Sequence, residues 1–300
     1  MRPSEAVSMP RPLHIVDVFA RDPYAGNQLA VVTGAADLSA DEMQAVAAEM
    51  DYSETTFVTG PPDGGAWPAR IFTPNAEIPF AGHPTLGTAA VVRDHLADGR
   101  PDTVGLALDV GEIPVTVEST DDRETLWMTQ RAPEFGDTLD HDALADVLGL
   151  STDAVDQTWP VQVVSTGLPT VVVPLADRDA LTRIDLDRTA YDRVTGDREA
   201  KNVLAFCPDP RSDANDLAVR VFAPFYDVPE DPATGSSNGC LAAYLARQEY
   251  FDEPRVDARV EQGYEMGRPS LLHLRADATG ADVSVEVGGS VVPVVRGELL

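Results

Sequence analysis

The feature that most constrains this chain is an internal echo. Residues 70–87, RIFTPNAEIPFAGHPTLG, return in degraded form as residues 220–236, RVFAPFYDVPEDPATGS. Arg70, Phe72, Pro74, Glu77 and Pro79 meet Arg220, Phe222, Pro224, Asp227 and Pro229 at a constant offset of 150. Two residues then drop out, and His83-Pro84 falls opposite Asp231-Pro232. A fainter match, in the same order, pairs GNQLAVV at 26–32 with GLPTVVV at 167–173. A period this long marks a duplicated domain and not a solenoid repeat, so two similar domains with a cleft between them are expected.

In each copy an apolar strand, 70–73 or 220–223, runs into a Pro-rich turn, a Gly with Thr or Ser, and a helical run at 88–96 or 238–247. Ala89, Ala90, Val91 and Val92 in one run, and Leu241, Ala242, Ala243, Tyr244 and Leu245 in the other, predict helices buried within strands. A helix N-terminus carries unpaired N–H groups and a partial positive charge, which suits it to hold a carboxylate. The same Gly and Pro would also serve merely to end a strand and start a helix.

With 300 residues of which 43% are hydrophobic, the chain can bury a substantial core. The duplication divides it into domains at 12–130 and 131–300, behind a disordered lead at 1–11. No run of about 18 or more apolar residues predicts a membrane span, and the start has no apolar segment of signal-peptide length. Cys207 and Cys240 are the only cysteines, too few for a disulfide framework or a Cys-rich metal site. A cytoplasmic enzyme is expected. The net charge of −28 comes from 33 Asp and 17 Glu against 21 Arg and a single lysine, Lys201, a field that repels nucleic acid and anionic membranes. The acids are dispersed and not blocked, as on a solvated surface. Such a balance suits molar salt, where screening removes self-repulsion; the other reading is an ordinary acidic protein.

From the N-terminus, residues 13–19 (LHIVDVF) alternate as a strand, with His14 a structural member. Turn residues at 22–27 precede a strand at 29–33. Ser39 with Glu42 forms a capping box that opens a helix whose apolar face is Met43, Val46, Ala47 and Met50. The strand formers Thr55, Thr56, Phe57 and Val58 put Glu54 at a strand start. There it is either an exposed strand-end residue or a partly buried acid able to carry a proton. Farther on, short strands are expected at 103–117, 126–129, 161–165, 170–175, 271–274, 283–287 and 291–295. Helices are expected at 141–150 and, charged and exposed, at 176–193. Whether the last strand returns to the first domain is open.

Seven motifs stand in a familiar order: GNQLAVV at 26–32, SETTFV at 53–58, RIFTP at 70–74, FAGHPTLG at 80–87, STGLP at 165–169, EDPATGS at 230–236, and EQG at 261–263 with GRPS at 267–270. Together, from about residue 12 onward, they resemble the PhzF-like isomerases of phenazine biosynthesis. The resemblance implies an α+β fold like that of diaminopimelate epimerase. Two similar domains, each a curled, mainly antiparallel sheet around a central helix, would flank an active site in the cleft. It places the general acid/base at Glu54 and further catalytic groups at His83 and Asp231, with Ser53, Gly82, Gly235 and Ser236 binding substrate. It implies no metal or organic cofactor, a homodimer, and a small carboxylic acid as substrate; the namesake activity moves hydrogen between ring carbons of a dihydro-3-hydroxyanthranilate.

The residue chemistry agrees with that expectation. One carboxyl group that accepts a proton from one carbon and returns it to another serves as base and then as acid. Epimerases of this fold use two facing thiols, but Cys207 and Cys240 lie outside the repeated loops, which argues against two-thiol chemistry. Three rivals remain. Residues 235–239 satisfy G-x-S-x-G, with Ser237 as a hydrolase nucleophile and His273 downstream, yet a Pro-containing loop stands where the elbow needs a strand. Glu54, His83 and Asp231 are conceivable metal ligands, with no HExxH or Cys/His spacing in support. A non-catalytic small-molecule binding protein is the third.

Overall fold

The computed structural model describes residues 10–119 and 123–300; most of the expected lead, 1–9, lies outside the described residues. The first elements are β1 (Arg11–Val18), β2 (Asn27–Val32), α1 (Ala40–Met50), β3 (Thr55–Val58), β4 (Ala66–Phe72), β5 (Glu77–Ile78), α2 (Gly82–His95), β6 (Thr103–Leu108) and β7 (Gly111–Ser119). Then come β8 (Glu124–Thr129), β9 (Glu134–Leu139), α3 (His141–Leu148), β10 (Val161–Ser165), β11 (Thr170–Pro174), α4 (Arg178–Thr182), α5 (Arg188–Thr195), β12 (Asn202–Cys207) and β13 (Leu217–Ala223). The chain ends with β14 (Val228–Asp231), α6 (Gly235–Arg247), β15 (Arg255–Gln262), β16 (Ser270–Asp277), β17 (Ser284–Gly289) and β18 (Val291–Leu299).

These elements form two compact units. The first holds the described residues up to Val18, then Gln28–Thr116 and Val291–Leu300; the second holds Phe19–Asn27 and Val117–Ser290. The expected division at 130/131 therefore moves. β8 belongs to the second unit because it pairs with β17, Met128 opposite Val287. β18 belongs to the first because it pairs with β1 along its length, from Arg11–Leu299 to Val18–Val291. The pairing at Arg11 also brings the last residue of the expected lead into a strand.

The duplication is visible in the ladders. In the first unit β2 runs parallel to β3, β3 antiparallel to β4, β4 antiparallel to β5 and parallel to β6, and β6 antiparallel to β7. In the second, β11–β12, β12–β13, β13–β14, β13–β15 and β15–β16 repeat that series of orientations. Even the outer pair recurs, β18 on β1 and β9 on β10, both antiparallel. Each mixed, mainly antiparallel sheet carries one buried helix. Leu86, Ala89, Val91 and Val92 of α2 are buried, as is 237–246 of α6.

The structure corrects the alignment of the echo past its strand. Arg70 clasps Glu77 with two hydrogen bonds, 2.6 Å each, and lies over Phe72. Its counterpart Arg220 clasps Glu230, at 2.9 and 2.8 Å, and lies over Phe222. Glu77 thus corresponds to Glu230 and not to Asp227, and the helix starts Gly82 and Gly235 agree with that. No residues drop out; the second copy has three extra, taken up by the short helical turn Pro224–Tyr226. His83 then matches Ser236, each the second residue of its helix, and Asp231 matches the apolar Ile78, so the copies carry different chemistry.

Local signals account for most helix boundaries. Ser39 accepts from the Glu42 amide while Glu42 reaches back to the Ser39 amide, the reciprocal box that starts α1. Both central helices begin earlier than expected: α6 starts three residues before Asn238, and α2 six residues before Thr88, where a proline in the first turn removes only an N–H that has no helical partner. The charged stretch 176–193 is not exposed throughout: α4 and α5 bury Ala180, Leu181, Ala190 and Tyr191.

Candidate active site

In the first unit the turn before β3 and the start of α2 bring two of the expected residues together. Glu54 is half-buried, and its Oε2 lies 3.4 Å from Nε2 of His83. His83, the second residue of α2, is buried. Removal from water pushes its imidazole down to about 3, against the weaker opposing effect of a hydrogen bond to the backbone of Gln28. Nε2 has no hydrogen-bond partner, so the Gln28 contact belongs to Nδ1. A neutral ring that donates through Nδ1 presents the lone pair of Nε2 to the Glu54 carboxyl. Ser53 stands beside Glu54, half-buried, and Gly82 is the buried first residue of α2.

In the second unit Asp231 ends β14. Its Oδ1 accepts from Asn27 Nδ2 at 2.9 Å, and its Oδ2 accepts from the Thr234 hydroxyl. Desolvation pushes the carboxyl up to about 6, while those two donors pull the other way. The Asn27 amide also donates to the carbonyl of Ala233, 3.0 Å. Gly235 and Ser236 open α6, the first buried and the second half-buried.

These two helices differ from the others at their starts. α1, α3, α4 and α5 are capped by the side chains of Ser39, Asp140, Asp177 and Asp187. α2 and α6 have no side-chain cap and no acidic residue in the first turn, although the chain is rich in aspartate. Their first N–H groups are thus left for another acceptor, which suits an anionic ligand.

Several expectations meet a clear answer here. Ser237 is fully buried within α6, hydrogen bonded to Thr170 at 3.0 Å and Asn202 at 3.2 Å, so it is a structural hydroxyl and not a hydrolase nucleophile. Both cysteines are buried in the second unit, and burial raises their thiols, Cys207 to about 11, away from the nucleophilic thiolate. Among the described residues no three His, Cys, Asp or Glu side chains converge as metal ligands. Sequence reasoning missed Asn27, Gln28, Thr234 and Gln262. Asn27 and Gln28 sit in the repeated GNQLAVV motif and Gln262 in EQG, but a motif does not say which side chain each amide meets.

The family described as phenazine biosynthesis-like protein matches residues 16–297 of the chain. A trans-2,3-dihydro-3-hydroxyanthranilate isomerase of Pseudomonas fluorescens is 37% identical, over 95% of this chain and 98% of its own. Among solved structures, a Bacillus anthracis phenazine biosynthesis protein of the PhzF family superposes with a TM-score of 0.89 at 25% identity, covering 98% of this chain and all of that one. A predicted epimerase from Pseudomonas aeruginosa has a TM-score of 0.80 at 34% identity, covering 97% and 99% of the two chains.

Proposed function

The chain belongs to the phenazine biosynthesis-like protein family and is an isomerase, and on that premise we propose that it moves a proton between carbons of a small unsaturated or cyclic carboxylic acid, with Glu54 as the general acid/base. The observation that carries this reading is the Glu54–His83 pair, a half-buried carboxyl facing a histidine that burial keeps neutral.

In this reading the Glu54 carboxylate takes a proton from one substrate carbon and returns it to another on the same face, so no net proton is gained or lost. His83 stays neutral across the working pH range. Its Nε2 accepts a hydrogen bond from the Glu54 carboxyl once that is protonated, which steadies the acid between the two transfers. Asp231, held by Asn27 and Thr234, is the further catalytic carboxyl in the second unit. The uncapped starts of α2 and of α6 each offer N–H donors to an anionic group. These local dipoles allow a protein of charge −28 to bind an anion.

The test is proton NMR of small unsaturated carboxylic acids and cyclic amino acids, dihydro-3-hydroxyanthranilate among them, in D₂O at molar salt. Deuterium is expected to enter a carbon position with the wild type. Glu54→Gln is expected to lower the exchange rate at least about 10²-fold, as loss of a general acid/base does, with binding retained. Exchange that continues unchanged in Glu54→Gln would remove Glu54 from the role.

A further inference from the structure

We infer that Gln262 and Thr234 are positioning residues for Asp231: the buried Gln262 amide forces the Thr234 hydroxyl to act as a donor to the carboxylate. The inference rests on the reading above, in which Asp231 meets substrate, but its geometry stands by itself.

Gln262 ends β15 and is 1% exposed. Its Oε1 accepts from the Thr234 amide at 3.2 Å and from Asn238 Nδ2 at 2.8 Å. Its Nε2 donates to the Asp231 carbonyl at 2.7 Å and to the Thr234 hydroxyl at 3.1 Å. A backbone N–H can only donate and a backbone C=O can only accept, so the orientation of this amide is fixed by its partners. Thr234 Oγ1 therefore accepts a hydrogen bond from Gln262, and its own O–H donates to Asp231 Oδ2. Asn27 is fixed in the same way by the Ala233 carbonyl and presents an N–H to Oδ1. Each Asp231 oxygen then faces a donor, an arrangement that suits the carboxylate and opposes the desolvation that pushes it up to about 6.

Thr234 is also the N-cap residue of α6, where a threonine hydroxyl ordinarily accepts from the helix. Here it makes no capping bond; the hydroxyl is committed to Asp231. The backbone of the loop is gripped independently. Ser270 Oγ donates to the Pro232 carbonyl at 2.9 Å, and a Cβ at Gly263 would lie 2.5 Å from that same oxygen. Loss of the hydroxyl therefore leaves the loop anchored. The charged neighbour on the same strand is Glu230, which raises Asp231 but is itself clasped by Arg220. The facing elements β15 and β16 contribute the neutral Gln262 and Ser270.

The test is a pH titration of the Asp231 side-chain carbon by NMR in aspartate-labelled full-length protein, the resonance being identified by its loss in Asp231→Asn. Thr234→Val is expected to raise the titration midpoint by about one pH unit, the effect of one lost donor, and Thr234→Ser to leave it where it is. Gln262→Met, which keeps a similar volume and removes the donated N–H without adding a charge, is expected to raise the midpoint in the native background and to add little in Thr234→Val, as for groups acting in series. A Thr234→Val protein that titrates like the wild type overturns the proposal, as does a Gln262→Met shift undiminished in the valine background. If Gln262→Met does not fold, the two Thr234 variants decide alone. The midpoint is read without turnover, so failure of the isomerase reading shows separately, as absent deuterium exchange in the wild type.

Discussion

Burial of His83 links the proposed proton transfer to folding. The unfolded imidazole titrates near 6.5, but the folded one is pushed down to about 3. As pH falls below 6.5 the unfolded chain takes a proton that the folded chain refuses, so stability is lost between roughly pH 6.5 and pH 3. His83→Gln is expected to lose less stability over that window, by on the order of 1–3 kcal/mol, in urea midpoints measured at pH 7 and pH 4. Asp231 acts at the other end of the scale. Raised from its ordinary 3.8 to about 6, it holds its proton longer in the folded state, so its cost to folding grows through that window and is full above pH 6. Asp231→Asn is expected to be more stable than wild type at pH 7.5, by on the order of 1 kcal/mol, with the gain gone below pH 4. Equal stability at both pH values would show that the folded carboxyl titrates normally.

At the scale of elements, the repeated arginine shows how one motif takes two energetic roles. Arg70 and Glu77 are 33% and 42% exposed, whereas Arg220 and Glu230 are 9% and 16% exposed. Arg220 also donates to the carbonyls of Leu181 in α4 and of Ile184 just beyond it. Removing one partner of an exposed pair costs about 0–1 kcal/mol, while leaving a buried carboxylate unpaired costs about 3–5 kcal/mol. Arg70→Ala and Arg220→Ala should therefore differ by several-fold in destabilisation, read from chemical denaturation; equal losses would refute the ranking. α2 offers a packing test. A Cβ at Gly87 would lie 2.6 Å from Leu29 Cδ2 and 2.9 Å from Val18 Cγ2, so the helix rests against β1 and β2 only because that position lacks a side chain. Gly87→Ala is expected to destabilise by about 1–3 kcal/mol despite the better helix propensity of alanine, as a fall in Tm.

At the scale of the whole molecule, charge dominates. With −28 spread over scattered acids, repulsion acts on the compact state wherever solvent does not screen it. Three of the aspartates, Asp140, Asp177 and Asp187, also serve as local helix caps. Raising KCl from about 0.1 M to about 1 M shortens the screening length from about 10 Å to about 3 Å, and Tm is expected to rise by several degrees. A Tm that falls or stays level across that range would favour the reading of an ordinary acidic protein over that of one suited to molar salt. No helix among the described residues is long and apolar enough to cross a membrane.

Patterns carried by neighbouring residues were legible from the sequence alone. The capping box at Ser39, the strand at 55–58 that follows Glu54, and the echoed Arg-x-Phe-x-Pro are short-range facts, set by backbone geometry and side-chain alternation within a few positions. The order of seven motifs pointed to the family for the same reason. Longer-range choices were not legible. Residue counting paired Glu77 with Asp227, but an arginine chooses its carboxylate by distance across a hairpin, and three extra residues in a turn moved the partner to Glu230. Ser237 fitted a nucleophile pattern until burial against Thr170 and Asn202 made it part of the core. The amides of Asn27 and Gln262 lie 204 positions and 31 positions from Asp231 in the chain, and hydrogen bonds to that residue require only that the folded backbone bring them within 3 Å. Chain order is enough to set the duplicated elements and the residue types at the candidate site. Which carboxylate each donor faces and which histidines stay neutral are set by the folded chain, because both depend on distance and exclusion of water, which chain order does not encode.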